Sequence, residues 1–259
     1  PPKSIICMPC HTATFSIGDI PSAAAVIIFL MGTLSIVFIW FSAGKSRKTD
    51  NGASSTGLIH VAEVLILDVL LQRRLFRVSI KRWAIHEMIF LPLLFRFLWG
   101  ITALVLSLFY PEQDITWIML DKNNPVTGLF FDITGIIILL GGILMFIEKK
   151  MNKILNSITG LPKSDVLVTL LLACIILTGF IVEGARIAMT GFPEGSQYSF
   201  TGSLIGRTLT GYHLNGFFAY LWYLHAVVTA VFIAYFPFSR MFHIITAPLG
   251  LLLRGSSED

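Results

Sequence analysis

Five stretches of the chain are long and almost uncharged: residues 21–41, 84–109, 128–147, 164–189 and 214–236. A helix rises about 1.5 Å per residue, so roughly 20 apolar residues cross a hydrocarbon core about 30 Å thick. Each stretch meets that length. The chain as a whole is 55% hydrophobic and 13% charged, whereas a soluble domain runs near a quarter charged. These runs predict an all-α membrane protein with five transmembrane helices, its principal partner being the lipid bilayer. No basic stripe with interleaved aromatics points to nucleic acid.

The segments between the runs are not equivalent. Residues 42–56 form a polar loop. From 57 to 82, Leu58, Val61, Leu65, Val69 and Phe76 recur at helical spacing. Glu63, Asp68, Gln72, Arg73, Arg74 and Arg77 fall among them, which predicts an amphipathic helix lying on the interface. Residues 110–127, 148–163 and 190–213 read as loops, the last about two dozen residues long. Segments 42–83, 148–163 and 237–259 hold 14 of the 19 Lys and Arg residues, against Lys3, Lys122 and Arg207 on the opposite side. Positive charge stays in the cytoplasm. The N-terminus is therefore expected outside and the C-terminus, with the tail 251–259, in the cytoplasm. The membrane is expected to be the cytoplasmic membrane of a prokaryote.

Residues 1–20 form an extracytoplasmic entry containing Cys7-Met8-Pro9-Cys10-His11. This is the attachment pattern of a c-type haem: Cys7 and Cys10 supply thioethers and His11 an axial ligand. A disulfide or a partial metal site could use the same residues. Deeper in the chain, His86 opens the second run from the cytoplasmic side and His243 follows the fifth on that side. Equal depth on two helices suits a bis-imidazole b haem, although interfacial histidines can also bond carbonyls or headgroups. His225 lies inside the fifth run, 18 residues before His243, or about 27 Å along a continuous helix. That spacing implies a second site at another depth.

An imidazole buried in a membrane is costly and usually functional. The partner of His225 is less evident. Arg96 stands at comparable depth, and a guanidinium does not ligate iron. His213 could oppose His225 if the chain folds back near Gly211–Gly216, or could serve the N-terminal c haem instead. Met119, Met189 and Cys174 are sulfur alternatives. His60, on the amphipathic segment, reads as structural. Glu183 and Arg186 share a helix face at the outer end of the fourth run. They form either an ion pair at the headgroups or a site for a quinone or haem propionate, with Arg186 (and Arg96) holding an oxygen and Glu183 exchanging protons. Gly135, Gly141 and Gly142 suit close helix packing.

Several phrases resemble a known family. Arg82-Trp83-Ala84-Ile85-His86, Trp222-Tyr223-Leu224-His225 and Phe236-Pro237-Phe238-Ser239-Arg240-Met241-Phe242-His243 are similar to the cytochrome b (gamma) subunit of respiratory nitrate reductase. Asp68-Val69-Leu70-Leu71-Gln72-Arg73-Arg74-Leu75-Phe76 and Gly179-Phe180-Ile181-Val182-Glu183-Gly184-Ala185-Arg186 resemble its DsrM-type and heterodisulfide-reductase relatives. The resemblance spans about residues 20–250. It implies five spans, two b haems, a quinone site near the outer haem and a cytoplasmic iron–sulfur subunit beneath the inner one. His86 and His243 match the inner pair, and His225 matches one outer ligand. Arg96 stands where the nitrate reductase pattern has the second. The Cys7–His11 motif is a further departure and implies exchange with an extracytoplasmic c-type cytochrome.

Together these features predict an electron-transfer subunit between a menaquinone-type pool, b haems, other membrane subunits and soluble redox partners. A transporter or proton relay using Arg96, Glu183 and His225 is the rival, and a non-redox membrane anchor a third.

Overall fold

The computed structural model describes residues 20–44, 62–154, 163–212 and 214–253. Cys7, Cys10, His11, His60 and His213 lie outside the described residues. The described residues form helices and the turns that join them. In chain order come α1 (Ile20–Gly44), a π-helical turn (Val64–Leu70), α2 (Arg73–Val78), α3 (Ile80–Phe109), α4 (Asp114–Leu120) and α5 (Pro125–Ile154). Then follow α6 (Lys163–Met189), a 3-10 turn (Ser196–Tyr198), α7 (Phe200–Leu209) and α8 (Asn215–Tyr235). Two 3-10 turns (Phe236–Phe238 and Arg240–Phe242) lead into α9 (His243–Leu253). Four helices, α3, α5, α6 and α8, are long and apolar enough to cross a bilayer. α1, at 25 residues, packs against α8 and the Phe236–Phe238 turn.

The bundle is built by pairwise packing of α3 on α5, α6 on α8, α1 on α8 and α7 on α6, with α5 also meeting α6. Its centre holds Ile138 of α5 and Leu172, Ile176 and Phe180 of α6, flanked by Leu93 of α3 and Phe232 of α8. Large apolar side chains such as Leu108, Ile143 and Leu177 point outward, as expected where the surrounding medium is lipid. Two glycines set the α3–α5 approach and the α6–α7 approach. A Cβ on Gly141 would lie 2.9 Å from Ile89 and 3.4 Å from the backbone of Met88. Met88 is also where the α3 ladder is weakened, because Pro92 has no N–H to give its carbonyl. A Cβ on Gly184 would lie 2.6 Å from Ile205 and 3.0 Å from the Gly202 carbonyl. Gly135 is equally tight, whereas Gly142 meets nothing closer than 3.9 Å.

The structure departs from the sequence expectation most at two places, and the loop expected over 110–127 also contains α4. First, the continuous amphipathic helix over 57–82 is broken. The Leu71 N–H bonds the Ile66 carbonyl at 2.9 Å, a wide π-type register, and Gln72 then takes a left-handed φ of 47°. Asp68 holds the break: its carboxylate receives Arg73 Nε at 3.1 Å and lies 3.8 Å from Arg74. That carboxylate pushes the Arg73 guanidinium above its ordinary value. Ser79 is extended and its hydroxyl accepts from the Arg82 N–H, so it caps α3. The second long helix thus starts at Ile80, four residues before the apolar run begins. Second, the loop expected over 190–213 contains α7. Gly202 and Gly206, four residues apart, let its backbone lie directly on α6 at Gly184.

Candidate haem-ligand pair and a buried polar cluster

At one end of the bundle, the second turn of α3 carries His86 and the first residue of α9 is His243. The two 3-10 turns bring them together: Ser239 ends the first and caps the second by accepting from the Met241 N–H at 3.2 Å. Buried Pro237 and Phe242 anchor the turns. The two imidazole centroids end up 5.9 Å apart. Metal–nitrogen bonds of about 2 Å place two facing nitrogens about 4 Å apart, so rings at this separation can bracket one metal.

The nitrogen chemistry agrees. A carbonyl only accepts, so His243 Nδ1–H donates to the Arg240 carbonyl at 2.6 Å, and Nε2 keeps its lone pair. Such a bond from the far nitrogen is what orients a ligating histidine. His86 Nδ1 is buried with no hydrogen-bond partner in the structure. Both rings face a cavity of about 270 Å³ lined also by Phe90, Gln72, Ile244 and Pro248. Among the described residues, no group of three or more His, Cys, Asp or Glu gathers as for a bare metal ion. A porphyrin brings four equatorial nitrogens of its own, so two axial imidazoles suffice. The residues present fit a b haem here.

The other half of the bundle is different. His225 Nδ1 lies 2.9 Å from Thr178 Oγ1. The Thr178 hydroxyl gives its one proton to the Cys174 carbonyl at 2.7 Å, so it accepts from His225. His225 is thereby oriented with Nε2 available, as His243 is. Among the described residues, however, no second imidazole is brought to it. Arg96, its expected counterpart in depth, turns to α5: Nε donates to Thr134 Oγ1 at 2.8 Å, Nη2 donates to the Phe131 carbonyl, and the guanidinium lies over the Phe131 ring at 5.0 Å. Met119 is buried in α4, while Met189 and Cys174 are exposed. The described residues therefore do not supply a bis-imidazole set for an outer haem.

Glu183 and Arg186 do form the ion pair their spacing allows, at 3.4 Å. Arg186 also donates to Asn123 Oδ1 at 3.0 Å, and both charged side chains are nearly buried. Three groups, two in this half and one beside His86, escaped the sequence reading. Asp132, 1% exposed, accepts the Thr201 N–H at 2.5 Å through Oδ2, while Oδ1 has no partner. Asn123 joins the cluster from the α4–α5 turn. Glu87, beside His86, is buried with neither carboxylate oxygen bonded. A lone acid within an apolar run was the available signal for Asp132, since it is the one charged residue in 128–147.

The described residues form an all-helical bundle with four helices able to cross a membrane and two imidazoles close together at one end, and the family match makes the chain a multi-pass membrane protein of the respiratory-complex type. The nitrate reductase gamma subunit family matches residues 94–257, more than half the chain, and the chain belongs to that family. Members typically bind b haems. The EtfAB:quinone oxidoreductase of Syntrophomonas wolfei is 25% identical over 88% of this chain, which spans about a third (32%) of that protein's length. One of the subunits of the dihydromethanophenazine:CoB–CoM heterodisulfide reductase of Methanosarcina thermophila is 22% identical over 95% of this chain and 94% of its own. No solved structure matches.

Proposed function

We propose that this chain is the membrane-embedded cytochrome b subunit of a quinone-linked oxidoreductase complex. In this role it carries electrons between a menaquinone-type pool and a cytoplasmic iron–sulfur partner. The observation that carries the proposal is the 5.9 Å approach of His86 and His243 from two different helices, both facing one cavity. A haem held between them supplies one-electron redox chemistry in a low-dielectric surround. The protein's own part is to fix both rings. Arg240 locks the tautomer of His243, and the Asp68–Arg73 bracket holds the Val64–Leu70 turn against α9 and the cavity.

The names of the two relatives support the quinone link and the assembly: one is a quinone oxidoreductase and the other a part of a dihydromethanophenazine:CoB–CoM heterodisulfide reductase. Quinone chemistry is assigned to the opposite half, at Glu183 and Arg186, where a buried guanidinium can hold a quinone oxygen beside a carboxylate. The five-span topology is retained, with α1 as the first span. A covalent c haem on Cys7 and Cys10, with His11 as ligand, would exchange electrons with an extracytoplasmic c-type cytochrome. A second b haem on His225 would need His213 as its other ligand.

Reduced-minus-oxidised optical spectra of membranes holding the full complex test the proposal. A b-type band is expected in the parent and its loss in His86→Ala and His243→Ala. A parent protein without b-type absorbance would sink the proposal. Intact-mass measurement checks the c haem, expected as one haem increment on this polypeptide.

A further inference from the structure

Helix packing alone leaves the acid at Asp132 unexplained. It sits in the interior of α5, fully buried, and one carboxylate oxygen has no partner. A buried carboxylate of that kind is expensive within a membrane span and marks function by default. Its visible structural duty is to Thr201 at the start of α7, whose N–H donates to Oδ2 and whose hydroxyl also hydrogen-bonds the carboxylate. An asparagine carbonyl would discharge that duty equally well, so the acid and its free oxygen are surplus to the cap.

The placement of α7 says what the surplus is for. Thr201 is bonded to Asp132, and the next residue, Gly202, lies on Glu183: a Cβ there would be 2.7 Å from Glu183 Cγ. Two acids from α5 and α6 therefore meet successive residues of one covering helix. The charged groups in electrostatic reach of Asp132 are Arg96 from α3, Lys122 from the α4–α5 turn and Glu183 from α6, while α7 offers the Thr201 amide and hydroxyl. Arg96 is anchored to Phe131 and Thr134, on either side of Asp132.

We propose that Asp132 is a second proton-exchanging carboxyl for the quinone chemistry assigned to Glu183 and Arg186, and so rests on that assignment. In the oxidising direction, a quinol loses two O–H protons and two electrons. The two electrons would leave one at a time, each passing by way of the b haem to the iron–sulfur partner before the next, and Glu183 and Asp132 would each take one proton before releasing it to water. The reverse direction takes up the same two protons. Arg96 and Lys122 supply positive charge that offsets the two acids when both are ionised.

The test uses the full haem-loaded protein in membranes, with reduction of the b haem by a water-soluble menaquinol analogue followed across pH. Asp132→Asn keeps the acceptor for Thr201 and removes the acid. It is expected to retain haem content and thermal stability, to leave the quinol KM near the parent value, and to slow haem reduction at least tenfold with its pH dependence flattened. Thr201→Pro keeps the acid and removes both donors, the N–H and the hydroxyl, in the first helical turn, where proline is tolerated. It is expected to keep the parent pH profile. The proposal is overturned if Asp132→Asn behaves as the parent while Glu183→Gln is slow, or if Thr201→Pro reproduces the Asp132→Asn defect. If Glu183→Gln and Arg186→Gln are themselves parent-like, the quinone assignment fails first and this proposal with it.

Discussion

The two halves of the bundle use the same helix types and nearly the same residue types, yet arrange them oppositely. At the inner end, imidazoles from α3 and α9 face each other at 5.9 Å. His243 is held there by its bond to the Arg240 carbonyl, while His86 Nδ1 stays unbonded. In the outer half, His225 of α8 bonds the Thr178 hydroxyl, and the α3 residue at its depth, Arg96, is bound to α5. One end presents two imidazoles that line one cavity. The other presents a ring of buried charges: Arg96, Asp132, Glu183 and Arg186. The lesson is that depth-matched polar residues on facing helices do not imply a shared ligand. What decides is whether a third helix offers one of them a better partner, as α5 does for Arg96.

The sharpest way to break this contrast is to remove one imidazole from each half. His86→Ala should abolish the inner b haem altogether, because one axial imidazole remains and the cavity loses one wall. His225→Ala should leave the inner spectrum intact and alter at most a second, separate component. Pyridine haemochrome quantification with redox titration checks both. Equal loss of the same component in both variants would mean that the two histidines serve one site, and the contrast would fall.

How much of this was legible beforehand follows the same division. The approach of His86 and His243 was readable because both stand at the positively charged ends of apolar runs, and the Pro237–His243 phrase signals a turn. The four long helices were readable from length and hydropathy. The break at Gln72 was not, because Leu65, Val69 and Phe76 keep helical spacing across it. Only the Asp68–Arg73 bond, five residues apart, shows that the chain turns back. α7 was hidden for a different reason. Its stability comes from glycine lying on glycine across two helices and from a capping carboxylate 69 residues earlier in the chain. Local sequence carries neither fact. The Gly202–Gly206 spacing was the one clue, and it sat in a stretch polar enough to read as loop.

A second comparison sets glycine against glycine. Gly184→Leu should destabilise more than Gly141→Leu, since the added side chain meets Ile205 at 2.6 Å and the Gly202 carbonyl at 3.0 Å, against 2.9 Å and 3.4 Å at Gly141. Overpacking of this kind costs about 1–3 kcal/mol, with Gly184→Leu at the upper end because backbone gives less than a side-chain tip. Thermal unfolding in detergent ranks them. The functional signatures should also separate: Gly184→Leu lifts α7 off Glu183 and slows quinol turnover with the inner spectrum unchanged, whereas Gly141→Leu, against Met88 two residues from His86, should perturb the inner haem band. Identical signatures would show that the halves are mechanically one unit.

The smallest effect is expected at the bracket beneath the inner site. Asp68→Asn removes the charge that holds Arg73 and Arg74, whose side chains are partly or largely in water. Ion pairs with so much solvent contact contribute little and are screened by salt. The prediction is therefore kinetic and local: amide exchange over Val64–Val78 should accelerate, the difference from the parent should shrink as ionic strength rises, and the inner haem content should hold. The buried Asp68 side chain, 4% exposed, is what makes the outcome informative. If exchange speeds up and haem is lost together, the turn at Gln72 is part of the haem site itself. If only exchange changes, the pair His86–His243 is positioned by α3 and the Ser239 turn alone, and the inner half of the comparison stands without its bracket.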